Sequence, residues 1–283
     1  MLRACALLLL ICLACSAPPP SVTAAHAEPT TLEARTPLEP PPPETARTHE
    51  ATPPEPPPTP EPARFEALPV PGHLDAVVSL PEGSERQPLL VATHGAGGAP
   101  EHHCLAWREH LGQRGIILCP RGAMIDKRYG ADAGFYYPNH FELEKEVLAA
   151  LDSFEAAYGE RVLPGGHIYA GYSQGATMGA LMLPKHAQLF PRLILIEGGF
   201  SEWDLRGARS FKQNGGERVA FVCGNTGCKR SADRSAGILK RAEVATSTRH
   251  AVGGGHTYLG AVAGEVHAAF TWLTQDDPRW SGG

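Results

Sequence analysis

The chain has 283 residues and a formal net charge of −5, a slightly acidic balance that argues against a nucleic-acid partner and decides little else. Its composition is uneven: from Met1 to about Arg64 it cannot form a core, and the remaining roughly 220 residues are ample for one.

Met1-Leu2-Arg3 is a positive start and Leu7 to Leu13 a short apolar run, too short to span a bilayer, so residues 1–27 are expected to be a signal peptide. Two processing sites stay open. Ala25-His26-Ala27 fits small-x-small cleavage, whereas Leu13-Ala14-Cys15 resembles a bacterial lipobox that would leave Cys15 lipidated and the protein anchored to a membrane. The lipobox departs from pattern at Cys12, where an aliphatic residue is usual. Residues 28–64, dense in proline, threonine and glutamate, are expected to be an extended, solvated tether. Residues 65–283 are the expected catalytic domain.

Leu74 to Leu80 is an expected edge strand closed by the turn Pro81-Glu82-Gly83. Leu89-Leu90-Val91-Ala92 is a continuous apolar run, the pattern of a parallel strand buried on both faces. A glycine loop follows it, His94-Gly95-Ala96-Gly97-Gly98. Glu101 to Leu111 has helical spacing, Ile116 to Cys119 is another buried strand, and Gly130 to His140 is irregular. Glu142 to Tyr158 is the clearest helix, with Gly159 as its expected stop. His167 to Ala170, Leu193 to Ile196, Val219 to Val222 and Glu243 to Ala251 supply further strands, and Val262 to Leu273 a last helix. Strands alternating with helices predict an α/β fold, a mostly parallel sheet with helices on both faces, with its site at the carboxyl ends of the strands.

Gly171-Tyr172-Ser173-Gln174-Gly175 is a G-x-S-x-G pentapeptide placed between a strand and a small-residue helix. That context is a sharp turn which exposes a strained serine, with glycines two residues either side because side chains there would strike neighbouring backbone. Ser173 is therefore the candidate nucleophile. Serine needs a base to take its proton, and His256, in a glycine-rich loop after the last strand and downstream of the serine, is the candidate; His94, His102, His103 and His250 are less suitably placed. The oxyanion of a tetrahedral intermediate needs backbone donors. Gln174, the residue after the nucleophile, would supply one and Ala96 or Gly97 the other. The glycine loop lacks the lysine and serine or threonine of a phosphate-binding P-loop.

These three motifs, in this order and spacing, resemble the α/β-hydrolase superfamily over Leu74 to Leu273, nearest to the small carboxylesterase, acyl-protein thioesterase and dienelactone hydrolase branch. The resemblance implies an α/β-hydrolase fold without a large lid domain and a serine hydrolase that needs no cofactor or metal. It also implies an aspartate near Gly224-Asn225-Thr226-Gly227-Cys228, where this chain has no carboxylate. Three residues stand in for it: Glu197, which directly follows an apolar strand and is flanked by glycine, is preferred over Asp233 and Asp204; a dyad without an acid is the fourth option.

Cys104, Cys119, Cys223 and Cys228 are an even set outside the leader, expected to pair as Cys104–Cys119 and Cys223–Cys228 because each pair flanks one compact turn or crossover. Cys223 and Cys228 are too far apart in sequence for a metal-binding C-x-x-C knuckle. Phe135, Tyr136, Tyr137 and Trp203 either line an acyl or leaving-group pocket or fill the core. The expected protein is an exported serine hydrolase of a small-molecule ester or thioester, in the periplasm, cell envelope or extracellular space, with no obligate protein partner evident. Two other readings compete with it. A peptidase of this fold would need a gating domain, and a tethered binding protein with a degenerate hydrolase fold would explain the missing aspartate.

Overall fold

A computed structural model describes residues 64–281 of the chain. The expected leader, Cys15 and the proline-rich stretch up to residue 63 lie outside the described residues. Among the described residues ten strands alternate with six α-helices: β1 (Arg64–Leu68), β2 (Ala76–Leu80), β3 (Leu89–Thr93), α1 (Pro100–Leu111), β4 (Ile116–Cys119), β5 (Ala123–Met124), β6 (Phe135–Tyr136), α2 (His140–Tyr158), β7 (Ile168–Tyr172), α3 (Gln174–Met182), β8 (Arg192–Ile196), α4 (Leu205–Gln213), β9 (Arg218–Cys223), α5 (Thr226–Arg241), β10 (Ala245–His250) and α6 (Ala261–Thr274).

Eight strands form one sheet in the order β1-β2-β4-β3-β7-β8-β9-β10. Only β2 runs against the others, pairing antiparallel with both β1 and β4. From β4 to β10 every pairing is parallel. Such strands are buried on both faces, and the alternation of their side chains assigns each residue to one of two cores. Leu89, Val91, Leu193, Leu195, Val219 and Phe221 point to one face, which α2, α3, α4 and α5 cover. Leu90, Ala92, Ile194, Ile196, Ala220 and Val222 point to the other, covered by α1 and α6. Among the described residues no helix is long and apolar enough to cross a membrane.

Three local expectations need correction. The strand at Ala76–Leu80 is not an edge, because Arg64–Leu68 pairs outside it; that outer strand, RFEAL, is short and mostly exposed, with no apolar run to mark it. Helix α2 begins at His140 rather than Glu142, since the Asn139 side chain accepts the backbone N–H groups of Phe141 and Glu142. Gly159 does end that helix as expected, as its C-cap, with φ −56°, and the chain continues into a short 3-10 turn, Gly159–Arg161. Within the stretch expected to be irregular, Phe135–Tyr136 forms a two-stranded antiparallel ribbon with Ala123–Met124.

Candidate active site

Sheet register brings the candidate residues to one edge. Thr93 pairs with Gly171, Tyr172 with Ile196, Ile196 with Val222 and Cys223 with His250, so five neighbouring strands, β3, β7, β8, β9 and β10, end side by side. His94, Ser173, Glu197 and Gly224 are the next residues along, and His256 lies in the loop after β10. Ser173 has φ 49° and ψ −109°, a left-handed backbone that a side chain rarely adopts, held by its N–H on the Ile196 carbonyl and by α3 starting immediately after it. The flanking glycines are there for space. A Cβ at Gly171 would lie 2.6 Å from the Ala176 nitrogen, and one at Gly175 would lie 2.6 Å from the Thr93 carbonyl oxygen.

The Ser173 hydroxyl donates to His256 Nε2 at 2.8 Å, and His256 Nδ1 donates to Glu197 Oε2 at 3.0 Å. A carboxylate has only acceptors to offer, so Nδ1 carries the imidazole proton and Nε2 faces the serine as a base. Glu197 is 1% exposed at its side chain and has φ 49°, a second left-handed non-glycine residue at the same edge. Its Oε1 accepts the Gly224 N–H and its Oε2 also accepts Asn225 Nδ2 at 2.8 Å. His256 is 56% exposed, and its carbonyl accepts the Tyr172 hydroxyl at 2.9 Å. A serine, imidazole and carboxylate in this line pass the serine proton to Nε2 as Oγ attacks a carbonyl and stabilise the imidazolium that results.

The glycine loop after β3 is fixed from beneath. His94 is buried, with Nδ1 2.8 Å from the Gly95 carbonyl oxygen and Nε2 2.8 Å from that of Arg121, so whichever nitrogen is protonated has an acceptor. Burial keeps its pKa below the usual histidine value. Tyr137 stacks on the ring at 4.8 Å between centroids, and its N–H donates to the Gln174 side chain. One expected oxyanion donor is excluded: the Gly97 N–H is spent on the Phe135 carbonyl at 2.9 Å, because the ribbon strand β6 bridges this loop. Among the described residues the Ala96 and Gln174 N–H groups have no such partner.

The other stand-in acids lie elsewhere. Asp204 caps α4 through the Gly207 N–H, and Asp233 pairs with Lys229 on α5. The aromatic pocket also needs correction. Phe135, Tyr137 and Trp203 are 2%, 0% and 4% exposed, with the Tyr137 hydroxyl on the Pro120 carbonyl and Trp203 Nε1 on the Gly199 carbonyl. They fill the core, because the ribbon turns Phe135 and Tyr137 inward against the glycine loop and Trp203 packs edge-on against Phe211 of α4; only Tyr136 is partly exposed. A cavity of about 550 Å³ beside the ribbon is lined instead by Leu74, Met124, Lys127, Pro138 and Glu146 among others, and by none of the four aromatics.

Disulfides join Cys104 to Cys119 and Cys223 to Cys228, tying α1 to β4 and β9 to α5, as expected of a chain in an oxidising compartment. Among the described residues the metal-type ligand atoms that cluster are those of Glu197, Cys223 and Cys228. Both sulfurs are joined to each other and the carboxylate is spent on its three donors, which leaves no thiolate for an ion. Asn225 and Tyr172 escaped the sequence analysis. The search in the 224–228 loop was for a carboxylate, so an amide that holds one gave no signal, and Tyr172 occupies an unspecified position of its motif.

No protein-family model matches the chain, and no curated protein matches it in sequence. Solved structures do match in shape. A protein from Thermus thermophilus aligns at a TM-score of 0.55 and 15% identity over 79% of this chain and 100% of its own. An esterase from Pyrobaculum calidifontis aligns at 0.53 and 16%, over 75% of this chain and 85% of its own. The acylaminoacyl peptidase of Pyrococcus horikoshii aligns at 0.56 and 14%, over 78% of this chain but 42% of its own. At these identities the likeness is one of fold, and with its strand order, its strained serine between β7 and α3 and helices on both faces of the sheet, the chain has the α/β-hydrolase fold.

Proposed function

We propose that the protein is an exported serine hydrolase that cleaves carboxylic ester or thioester bonds of a small or exposed substrate through an acyl-enzyme at Ser173. The observation that carries this reading is the unbroken hydrogen-bonded line from Ser173 through His256 to Glu197, beside backbone N–H groups of Ala96 and Gln174 that no carbonyl of the described residues occupies. Ser173 Oγ attacks the carbonyl carbon while His256 Nε2 takes its proton, and Glu197 holds the imidazolium. Ala96 and Gln174 donate to the oxyanion. The imidazolium then protonates the leaving alcohol or thiol, and water, deprotonated by the same nitrogen, releases the acid.

The half-exposed base supports a shallow site and a small or protruding substrate. The apolar leader and the two disulfides support export, and Cys15 supports an anchored form. The binding-protein reading rested on the missing loop aspartate, and Glu197 beside His256 removes that ground. Intact mass before and after a fluorophosphonate probe tests the reading: one adduct, lost in Ser173→Ala, is expected, and an unmodified, folded wild-type protein would overturn it. Palmitate labelling of the full chain, lost in Cys15→Ser, tests the anchor.

A further inference from the structure

The loop where an aspartate is missing is not idle. Glu197 rises from the end of β8 into the segment Cys223–Cys228, and two of its three donors come from that segment: the Gly224 N–H on Oε1 and Asn225 Nδ2 on Oε2. Asn225 in turn is fixed at its other end, where Oδ1 accepts the Cys228 N–H at 2.9 Å as the cap of α5. The Cys223–Cys228 disulfide closes this six-residue stretch into a ring, and the Cys223 and Gly224 carbonyls accept the Ala251 and Gly255 N–H groups from the loop that carries His256. The same short ring therefore touches the acid with its donors and the base loop with its acceptors.

We infer that this disulfide-closed ring is the cradle of the Glu197 carboxylate, with Asn225 as a positioning residue whose amide turns Oε2 toward His256. The inference rests on the reading of Glu197 as the acid that orients His256. Without Asn225 the carboxylate would keep only the Gly224 N–H on Oε1 and the half-exposed His256 on Oε2, so the imidazole would have to fix the very oxygen that is meant to fix it. Asn225 removes that dependence, since it donates to the same oxygen that receives Nδ1. An asparagine suits the task for two reasons. Its two ends serve two partners at once, cap and carboxylate, and it adds no charge beside Glu197. An aspartate there would keep the cap but set a second carboxylate against the first, where like charges share one proton.

Substitution at residue 225 separates positioning from helix capping. Asn225→Ser and Asn225→Asp both keep a capping oxygen for Cys228, and thermal unfolding checks that α5 is retained. Hydrolysis of a short activated ester is measured from pH 5 to 9. Asn225→Ser is expected to lower kcat about 10- to 100-fold with KM unchanged, the loss of one hydrogen bond to a charged group acting at the rate step. Asn225→Asp is expected to add an ionisation to the pH profile that the serine variant lacks. The phenols nearest the pair, Tyr172 on β7 and Tyr258 in the His256 loop, are raised by burial, and His103 beneath Tyr258 is pushed down to about 3. None of these three titrates in the measured range. Wild-type kcat and superimposable profiles in both variants would overturn the inference, as would losses that follow unfolding alone with no change of profile. A wild-type protein that the fluorophosphonate leaves unlabelled overturns the reading of the site as well, so the two failures are told apart.

Discussion

Replacing Glu197 by glutamine keeps the shape of the side chain and removes the charge that His256 needs. Nδ1 lies 3.0 Å from Oε2, so an imidazolium formed during attack gains about 5 kcal/mol from the carboxylate at an effective dielectric constant of about 20, and about 1.5 kcal/mol in water. With Glu197 buried and His256 half exposed, about 3 kcal/mol is the working value, roughly a hundredfold in rate. The amide adds a second loss. If its oxygen stays on Gly224, its NH₂ faces Asn225 Nδ2 and drives His256 into the tautomer whose Nε2 carries the proton; if it turns, the NH₂ meets the Gly224 N–H. Misplacing the tautomer raises the expected loss in kcat toward about 10⁴-fold, and the unmatched buried donor costs about 1–3 kcal/mol of stability. Ester hydrolysis and thermal unfolding are measured together, with Asp204→Asn and Asp233→Asn as controls expected to keep wild-type rates. A Glu197→Gln enzyme within threefold of wild-type kcat, or a comparable loss in Asp233→Asn, would refute the assignment.

The His103 ring is buried, both its nitrogens lack a hydrogen-bond partner among the described residues, and burial pushes its pKa to about 3. The folded state thus holds it neutral while the unfolded chain protonates it near pH 6.5, so its contribution is present above pH 6.5 and is lost as the pH falls toward 3. His103→Leu is expected to shrink the stability difference between pH 7 and pH 5 by about 2 kcal/mol in urea titrations, and an unchanged difference would count against it. Removing Cys104–Cys119 by alanine substitution is expected to cost about 3 kcal/mol and removing Cys223–Cys228 about 2 kcal/mol, from the loop lengths they close; a larger thermal shift on removing Cys223–Cys228 than on removing Cys104–Cys119 would contradict that origin. Gly224→Ala puts a Cβ 2.0 Å from the Gly255 carbonyl oxygen, so both kcat and melting temperature are expected to fall. Gly264→Ala, on the exposed side of α6 with nothing within 4 Å, is expected to raise stability by about 0.5–1 kcal/mol, and a gain in the first or a loss in the second would go against the packing described.

What the sequence made legible follows from how local each signal is. Strands β3, β4, β7, β8 and β9 are continuous apolar runs because both faces of each are covered, and burial on two sides leaves no polar position to confuse the pattern. β1 and β10 lie at the sheet edges, where RFEAL and ATSTRH keep polar residues, so the first went unseen and the second was visible only as a stretch. Ser173 and His256 carry their chemistry in short motifs. Glu197 has no motif of its own: its fitness depends on β8 pairing with β9 in the register that sets Gly224 and Asn225 over its carboxylate.

The errors share a cause. Gly97 and Ala96 are equivalent as sequence, and only the bridge from Phe135, far along the chain, takes one N–H and leaves the other. That same ribbon turns Phe135 and Tyr137 inward, which is why an aromatic cluster beside the site became support for the glycine loop rather than a pocket wall. The residues proposed to attack and to shuttle protons were readable because reactivity demands particular side chains at particular spacings. The residues that hold them in place were not, because a backbone N–H or an amide serves equally from many positions, and long-range pairing alone decides which.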